Sequence, residues 1–156
     1  MVFLFLDELL EVMMYRNCLF ALSLSLFMFS CKNEGCTDSA AENYVQKAKT
    51  DDGSCVYEAN LVFWFDNNTK TIMTSSGVTS LHYYLDGTFI GTFGATTDFS
   101  SAPSCDNENA FSKSIAYDIE STKVLSYRVE DQTGNEHFSG TVTAVAKTCV
   151  PEQLIY

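Results

Sequence analysis

Leu81-His82-Tyr83-Tyr84-Leu85-Asp86-Gly87-Thr88-Phe89-Ile90-Gly91-Thr92-Phe93 is the stretch whose reading decides the fold. Leu81, Tyr83 and Leu85 alternate with His82, Tyr84 and Asp86, the period-two pattern of a half-buried strand. Asp86-Gly87 between two such runs is the strongest short-range signal for a β-hairpin. On the N-terminal side, Leu61-Val62-Phe63-Trp64-Phe65 puts Leu61, Phe63 and Phe65 on one strand face, and Asp66-Asn67-Asn68-Thr69-Lys70 reads as a turn. On the C-terminal side, Phe111, Ile115, Tyr117 and Ile119 share one side of a further strand, and Leu125, Tyr127 and Val129 share another. The turn Gln132-Thr133-Gly134-Asn135 leads into Glu136 to Lys147, with Phe138, Gly140, Val142, Ala144 and Ala146 on one face. Six or seven short strands with polar turns and almost no helical period predict an all-β chain, an antiparallel β-sandwich over 60–156.

The start of the chain has a different texture. Asn17 to Cys31 is an uncharged, mostly apolar run entered from Arg16, and from Cys18 to Cys31 it covers 14 positions. That suits the apolar region of a secretory signal, whereas a spanning helix needs roughly 20 residues. Residues 1–30 are therefore expected to be a signal peptide with a helical apolar core. Met1 to Val12 carries Asp7, Glu8 and Glu11 and no positive charge, contrary to a signal's start, so Met13 or Met14 is the expected initiator. The Ser30-Cys31 ending after an apolar run resembles the processing site of Bacteroidetes-type lipoproteins. That resemblance implies acyl chains on Cys31, a membrane as partner, and a place in the bacterial cell envelope, as an outer membrane lipoprotein that is periplasmic or surface-exposed. An uncleaved anchor and a released secreted chain are the alternatives.

Charge and cysteine count narrow the function classes. The chain has 20 acidic and 9 basic residues, and without Asp7, Glu8, Glu11 and Arg16 the remainder keeps 17 against 8. Such a balance speaks against nucleic acid, which needs clustered Lys and Arg. Of six cysteines, Cys18 leaves with the signal and Cys31 takes lipid, so Cys36, Cys55, Cys105 and Cys149 remain. An even number in an exported chain implies disulfides, and no Cys-x2–4-Cys pair supports zinc. Four cysteines permit three connectivities, of which Cys36–Cys55 with Cys105–Cys149 is preferred.

The blocks Gly35-Cys36-Thr37-Asp38, Ala41-Glu42-Asn43-Tyr44 and Ala48-Lys49-Thr50-Asp51-Asp52-Gly53-Ser54-Cys55 resemble a short motif of extracellular Bacteroidetes and marine bacterial proteins. Ser39 stands where that family usually has proline. With Tyr44 and Val45 as its only large apolar side chains besides the cysteines, such a mini-module needs its disulfide. Residues 31–58 are thus expected to be a lipid anchor and disulfide-clamped spacer. Calcium held by Asp38, Asn43, Asp51 and Asp52 is the sharper alternative; the spacer is preferred because an EF-hand loop with its bidentate glutamate is absent. No other cofactor is expected.

The Asp-Gly hairpin, Ser101-Ala102-Pro103-Ser104-Cys105 and the run from Ser139 through Cys149 resemble a small immunoglobulin-like or transthyretin-like module of secreted and lipid-anchored bacterial proteins. The resemblance implies a Cys105–Cys149 bridge. Chemistry-bearing patterns are sparse. The histidines are His82 and His137, with no Gly-x-Ser-x-Gly elbow or His-Glu-x-x-His helix. Asp118, Glu120, Glu130 and Asp131 read as solvated strand-end carboxylates. An enzyme is not expected. Trp64 and Tyr84, each opposite a predicted core face, form a candidate aromatic platform, against the reading of Trp64 as core. The expected function is a non-catalytic, lipid-anchored recognition or adhesion module for a surface glycan or envelope protein. The alternative is a structural component of an envelope complex without a small ligand.

Overall fold

A computed structural model describes residues 33–156. The expected signal helix, Cys18 and Cys31 lie outside the described residues. The order is β1 (Val56–Trp64), α1 (Asn67–Ser75), β2 (Ser80–Leu85), β3 (Thr88–Gly94), β4 (Phe111–Asp118), β5 (Thr122–Asp131), β6 (Glu136–Val145) and β7 (Cys149–Gln153). They form a three-stranded sheet, β4-β1-β7, and a four-stranded sheet, β3-β2-β5-β6. The fold is all-β around one short helix.

Alternation fills the space between the sheets. Tyr57, Ala59, Leu61 and Phe63 of β1 meet Leu81, Tyr83 and Leu85 of β2, with Leu125 and Val129 of β5 and Phe138, Val142 and Ala144 of β6. Rings bridge the two layers: Tyr83 stacks on Phe111 at 4.0 Å between centroids, and Phe63 lies 5.4 Å from Tyr83 and 5.5 Å from Tyr127. Burying one such side chain is worth about 1.5–3 kcal/mol, so this aromatic cluster dominates the core. Space for it comes from two glycines. A Cβ at Gly140 would stand 2.9 Å from the Tyr127 ring, and one at Gly91 2.7 Å from Phe111. Asp86 and Gly87 both have positive φ, 45° and 76°, the conformation a two-residue hairpin turn requires.

Four features differ from the sequence reading. First, the sheets are not wholly antiparallel. β7 runs parallel to β1, with Asn60 opposite Cys149, and it is an edge strand, where Pro151 costs no interior ladder bond. Second, the grouping departs from the immunoglobulin constant arrangement, in which the first and second strands share a sheet; here they fall in different ones. Third, Asp66–Lys70 is the start of a helix. Asp66 caps it, its carboxylate accepting from the Thr69 amide at 2.8 Å, and only Thr69 and Met73, four residues apart, are buried from it. Fourth, Ile119 leaves the face it was assigned to: it ends up 83% exposed in the β4–β5 turn with φ of 82°.

Both bridges are present, Cys36–Cys55 and Cys105–Cys149. The mini-module is more closely tied to the sheets than a spacer would be. β1 starts at Val56, the residue after Cys55, and Cys36, Ala41 and Cys55 belong to the same buried cluster as the sheet residues. Tyr57 donates its hydroxyl to Asp38 at 2.9 Å, and the Lys147 ammonium donates to the Ser39 and Ala41 carbonyls at 3.0 and 3.1 Å. Tyr44 and Val45, the expected anchors, are each 43% exposed. Residues 34–156 therefore make one compact unit rather than a spacer followed by a domain.

Cys105–Cys149 closes the larger loop and fixes the 95–110 connection to β7 beside β1. Replacing both cysteines by serine is expected to lower unfolding free energy by about 4 kcal/mol. Urea titration of the oxidised chain and the variant measures this; a difference below about 1 kcal/mol would contradict the assigned role.

Candidate binding face

The outward side of the four-stranded sheet gathers an aromatic and cationic row. Phe89 of β3 is opposite Tyr84 of β2, Tyr84 is opposite Arg128 of β5, and Arg128 is opposite Ser139 of β6. A β-bulge puts Phe89 there. Tyr83 pairs with Gly91, yet its neighbour Tyr84 pairs with Phe89, so Ile90 is the extra residue. Beyond the bulge, Phe93 and Gly91 keep the core side, while Phe89 is re-aimed outward and is 54% exposed. In unbroken alternation Phe89 and Phe93 would share a face.

The row is ordered by its own contacts. The Phe89 ring meets Tyr84 edge-on at 5.5 Å and His82 at 6.2 Å. The Arg128 guanidinium lies 4.2 Å above the Tyr84 ring, a cation–π contact, and pairs with Glu130 in the next row. A flat apolar surface, a fixed guanidinium and a carboxylate thus stand side by side. Flat rings accept the C–H face of a sugar, and the charged pair offers donors and acceptors to hydroxyl groups.

Trp64 is not part of this face. It belongs to the three-stranded sheet, next to core-facing Phe63, and is half-buried. With Phe65, Phe99 and Ala110 it lines a crevice with room for about one water, roughly 10 Å3. Trp64 and Tyr84 therefore stand on outward faces of different sheets, and the two do not form one platform. Phe89, His82 and Arg128 are the companions of Tyr84 that sequence reasoning missed; only a bulge, invisible in the alternation, brings Phe89 to it.

The four oxygen-bearing residues considered for calcium are each engaged in hydrogen bonds within the module. Asp38 accepts from the Ala40 amide at 2.8 Å as well as from Tyr57, and these bonds hold its carboxyl below the usual range. Asn43 donates to the Ser54 carbonyl and accepts from the Val56 amide. Asp51 accepts from Gly53 and Thr37, and Asp52 from Ser54. The bonds from the Ala40, Gly53 and Ser54 amides are the turn-closing kind that aspartate makes with nearby amides, whereas Tyr57, Thr37 and the Asn43 side chain tie segments distant in sequence together. Among the described residues no group of three His, Cys, Asp or Glu side chains is gathered to hold a metal.

Asp131 also departs from its expected place as a solvated carboxylate. Its side chain is buried, accepting from the Thr133 amide and hydroxyl at 2.7 and 2.6 Å, from the Asn135 amide at 3.0 Å, and from the Asn135 side chain. His137 Nε2 lies 3.0 Å from it, and His137 Nδ1 meets the Tyr156 hydroxyl. The order of residues resembles a relay, yet burial and the Asp131 charge push the Tyr156 phenol up, away from an activated phenolate. The cluster ties the β5–β6 turn to the C-terminal segment. Comparison with protein-family models, curated proteins and solved structures finds no match to this chain, so its site is read from its own geometry.

Hydrogen bonds from Thr133 and His137, with help from Asn135, hold the Asp131 carboxyl far below the ordinary carboxylate range. The unfolded chain keeps a value near 3.8. Stabilisation is therefore whole above about pH 4 and is lost as pH falls below it. Asp131→Asn is expected to melt at a lower temperature than wild type at pH 7, and the gap is expected to shrink by about pH 2. Thermal melts across that range check it; a gap that stays constant would show that the charge is not what stabilises the turn.

Proposed function

We propose that this chain is a non-catalytic, lipid-anchored cell-surface protein whose β-domain is a recognition module for a surface glycan. The exposed row Phe89–Tyr84–Arg128 carries the reading. A ring 54% exposed on a sheet face, placed there by a bulge, does nothing for the core, and it lies edge-on against Tyr84, the ring that carries the Arg128 guanidinium. Support for the compartment comes from the two disulfides, which persist outside reducing cytoplasm, and from the apolar run ending in Ser30-Cys31. Stable anchoring there takes more than one acyl chain. At fold level, the parallel closing strand and the separation of the first two strands favour the transthyretin-like resemblance over the immunoglobulin-like one.

The test is binding of the full chain to an array of neutral bacterial and algal polysaccharides, repeated with Phe89→Ala and Tyr84→Ala. Each variant is expected to bind about tenfold more weakly, the loss of one ring contact of about 1.4 kcal/mol, with an unchanged circular dichroism spectrum. Unchanged binding in both variants would remove the face as the site. Co-purification with envelope proteins and no glycan signal would favour the structural-component reading.

A further inference from the structure

Exposed apolar side chains are concentrated at one end of the compact unit. The Cys36–Cys55 module reaches the sheets through Glu42, whose amide donates to the Val56 carbonyl, and Val56 is opposite Asp118 at the end of β4. The β4–β5 turn then meets the β6–β7 turn, the Ala146 amide donating to the Ser121 carbonyl, and Lys147 returns to the module at Ser39 and Ala41. Of the ten exposed large apolar residues among those described, six sit here: Tyr44, Val45, Val56, Ile119, Val124 and Val145. Ile119 is the extreme case. It is 83% exposed, and its φ of 82° is a conformation that a β-branched residue adopts only when its surroundings force it. With Val124 it lines an open depression of about 270 Å3 whose other lining residues are Asp118, Glu120, Thr122 and Lys123. No packing in the fold explains an isoleucine displayed in this way.

The position of Cys31 says what covers this end. Only Lys32 and Asn33 separate Cys31 from Glu34, and three residue steps span at most about 11 Å whatever their conformation. Glu34 bridges Thr50 in the module itself. Acyl chains on Cys31 therefore place the module, and the turns packed to it, at the bilayer surface. We propose that this end rests on a zwitterionic phospholipid bilayer, with Ile119 and Val124 at headgroup level. The proposal rests on the lipid-anchor reading of Cys31. Glu34, Glu42, Asp51, Asp52, Glu58, Asp118 and Glu120 outnumber Lys47, Lys49, Lys123 and Lys147 here, so an anionic surface is the poorer partner and the contact is apolar. Tethering holds the surface at high effective concentration, so even a weak contact is occupied. Its consequence is a fixed tilt of the domain, which sets how the aromatic row is presented.

The experiment uses the full chain, extracted from membranes and returned to phosphatidylcholine vesicles containing brominated acyl chains. Trp64, the single tryptophan, is replaced by Phe, and Ile119→Trp, Val124→Trp and, in α1, Ile72→Trp are compared as single reporters. Indole fluorescence at 119 and 124 is expected to shift to the blue and to be quenched severalfold more than at 72. The quenching should be insensitive to salt and weaker when half the lipid is phosphatidylglycerol. Equal quenching at the three positions, in a chain whose intact mass shows acyl chains, would overturn the contact and leave the anchor standing. Stronger quenching in the anionic vesicles would overturn its apolar character. An intact mass without acyl chains would overturn the anchor and the contact with it.

Discussion

The absence of any linker between Cys55 and β1 is the constraint on which this molecule depends. A disulfide-closed module of that size cannot bury enough apolar surface to be stable alone. Here its last cysteine is followed at once by the central strand of the three-stranded sheet, so the module shares its core with that sheet. Lys147, itself in a left-handed turn with φ of 60°, closes the arrangement by donating to two module carbonyls. Bridge, strand and ammonium together turn what reads as a hinge into a base. Whatever holds the module therefore holds the sheets.

A rigid base changes what the sheet face can do. The longest connections, α1 with its flanks and the 95–110 stretch, follow the far ends of β1 and β3, while the module joins the near end of β1. Between these ends the four-stranded sheet displays Phe89, Tyr84 and Arg128 across adjacent strands. The bulge there is the device that decouples Phe89 from the core, and Gly91 is what permits it, because the Phe111 ring occupies the space of a side chain at that position. Core packing and the exposed aromatic row are thus set by the same few residues.

Much of this was legible in the chain because period-two alternation and turn chemistry are local. The hairpin at Asp86-Gly87, the core faces of β1, β2, β5 and β6, and the bridge between Cys36 and Cys55 all follow from residues close in sequence. What was missed depends on partners distant in sequence. Asn67–Ser75 is rich in Asn, Thr and Ser, weak helix formers, and its apolar stripe amounts to Thr69 and Met73, so only the Asp66 cap betrays it. β7 contains Pro151, which argues against a strand until its edge position beside β1 is known. Asp131 looked like a solvated strand end because its partners Thr133, Asn135 and His137 are polar; the turn folds them inward around it. The pairing of Tyr84 with Phe89, and not with Trp64, rests on a one-residue slip and on which strand joins which sheet.

Hydrogen–deuterium exchange shows whether the module and the sheets open as one cooperative unit. The amides of Gly35, Glu42 and Val45, bonded to Thr50, Val56 and Cys36, report the module, and those of Leu61 and Phe63 report β1. The module amides are expected to exchange only through the same global opening as β1, with protection within about tenfold. Module amides that exchange freely while β1 stays protected would mean an independent, loosely hinged spacer and would contradict a shared core.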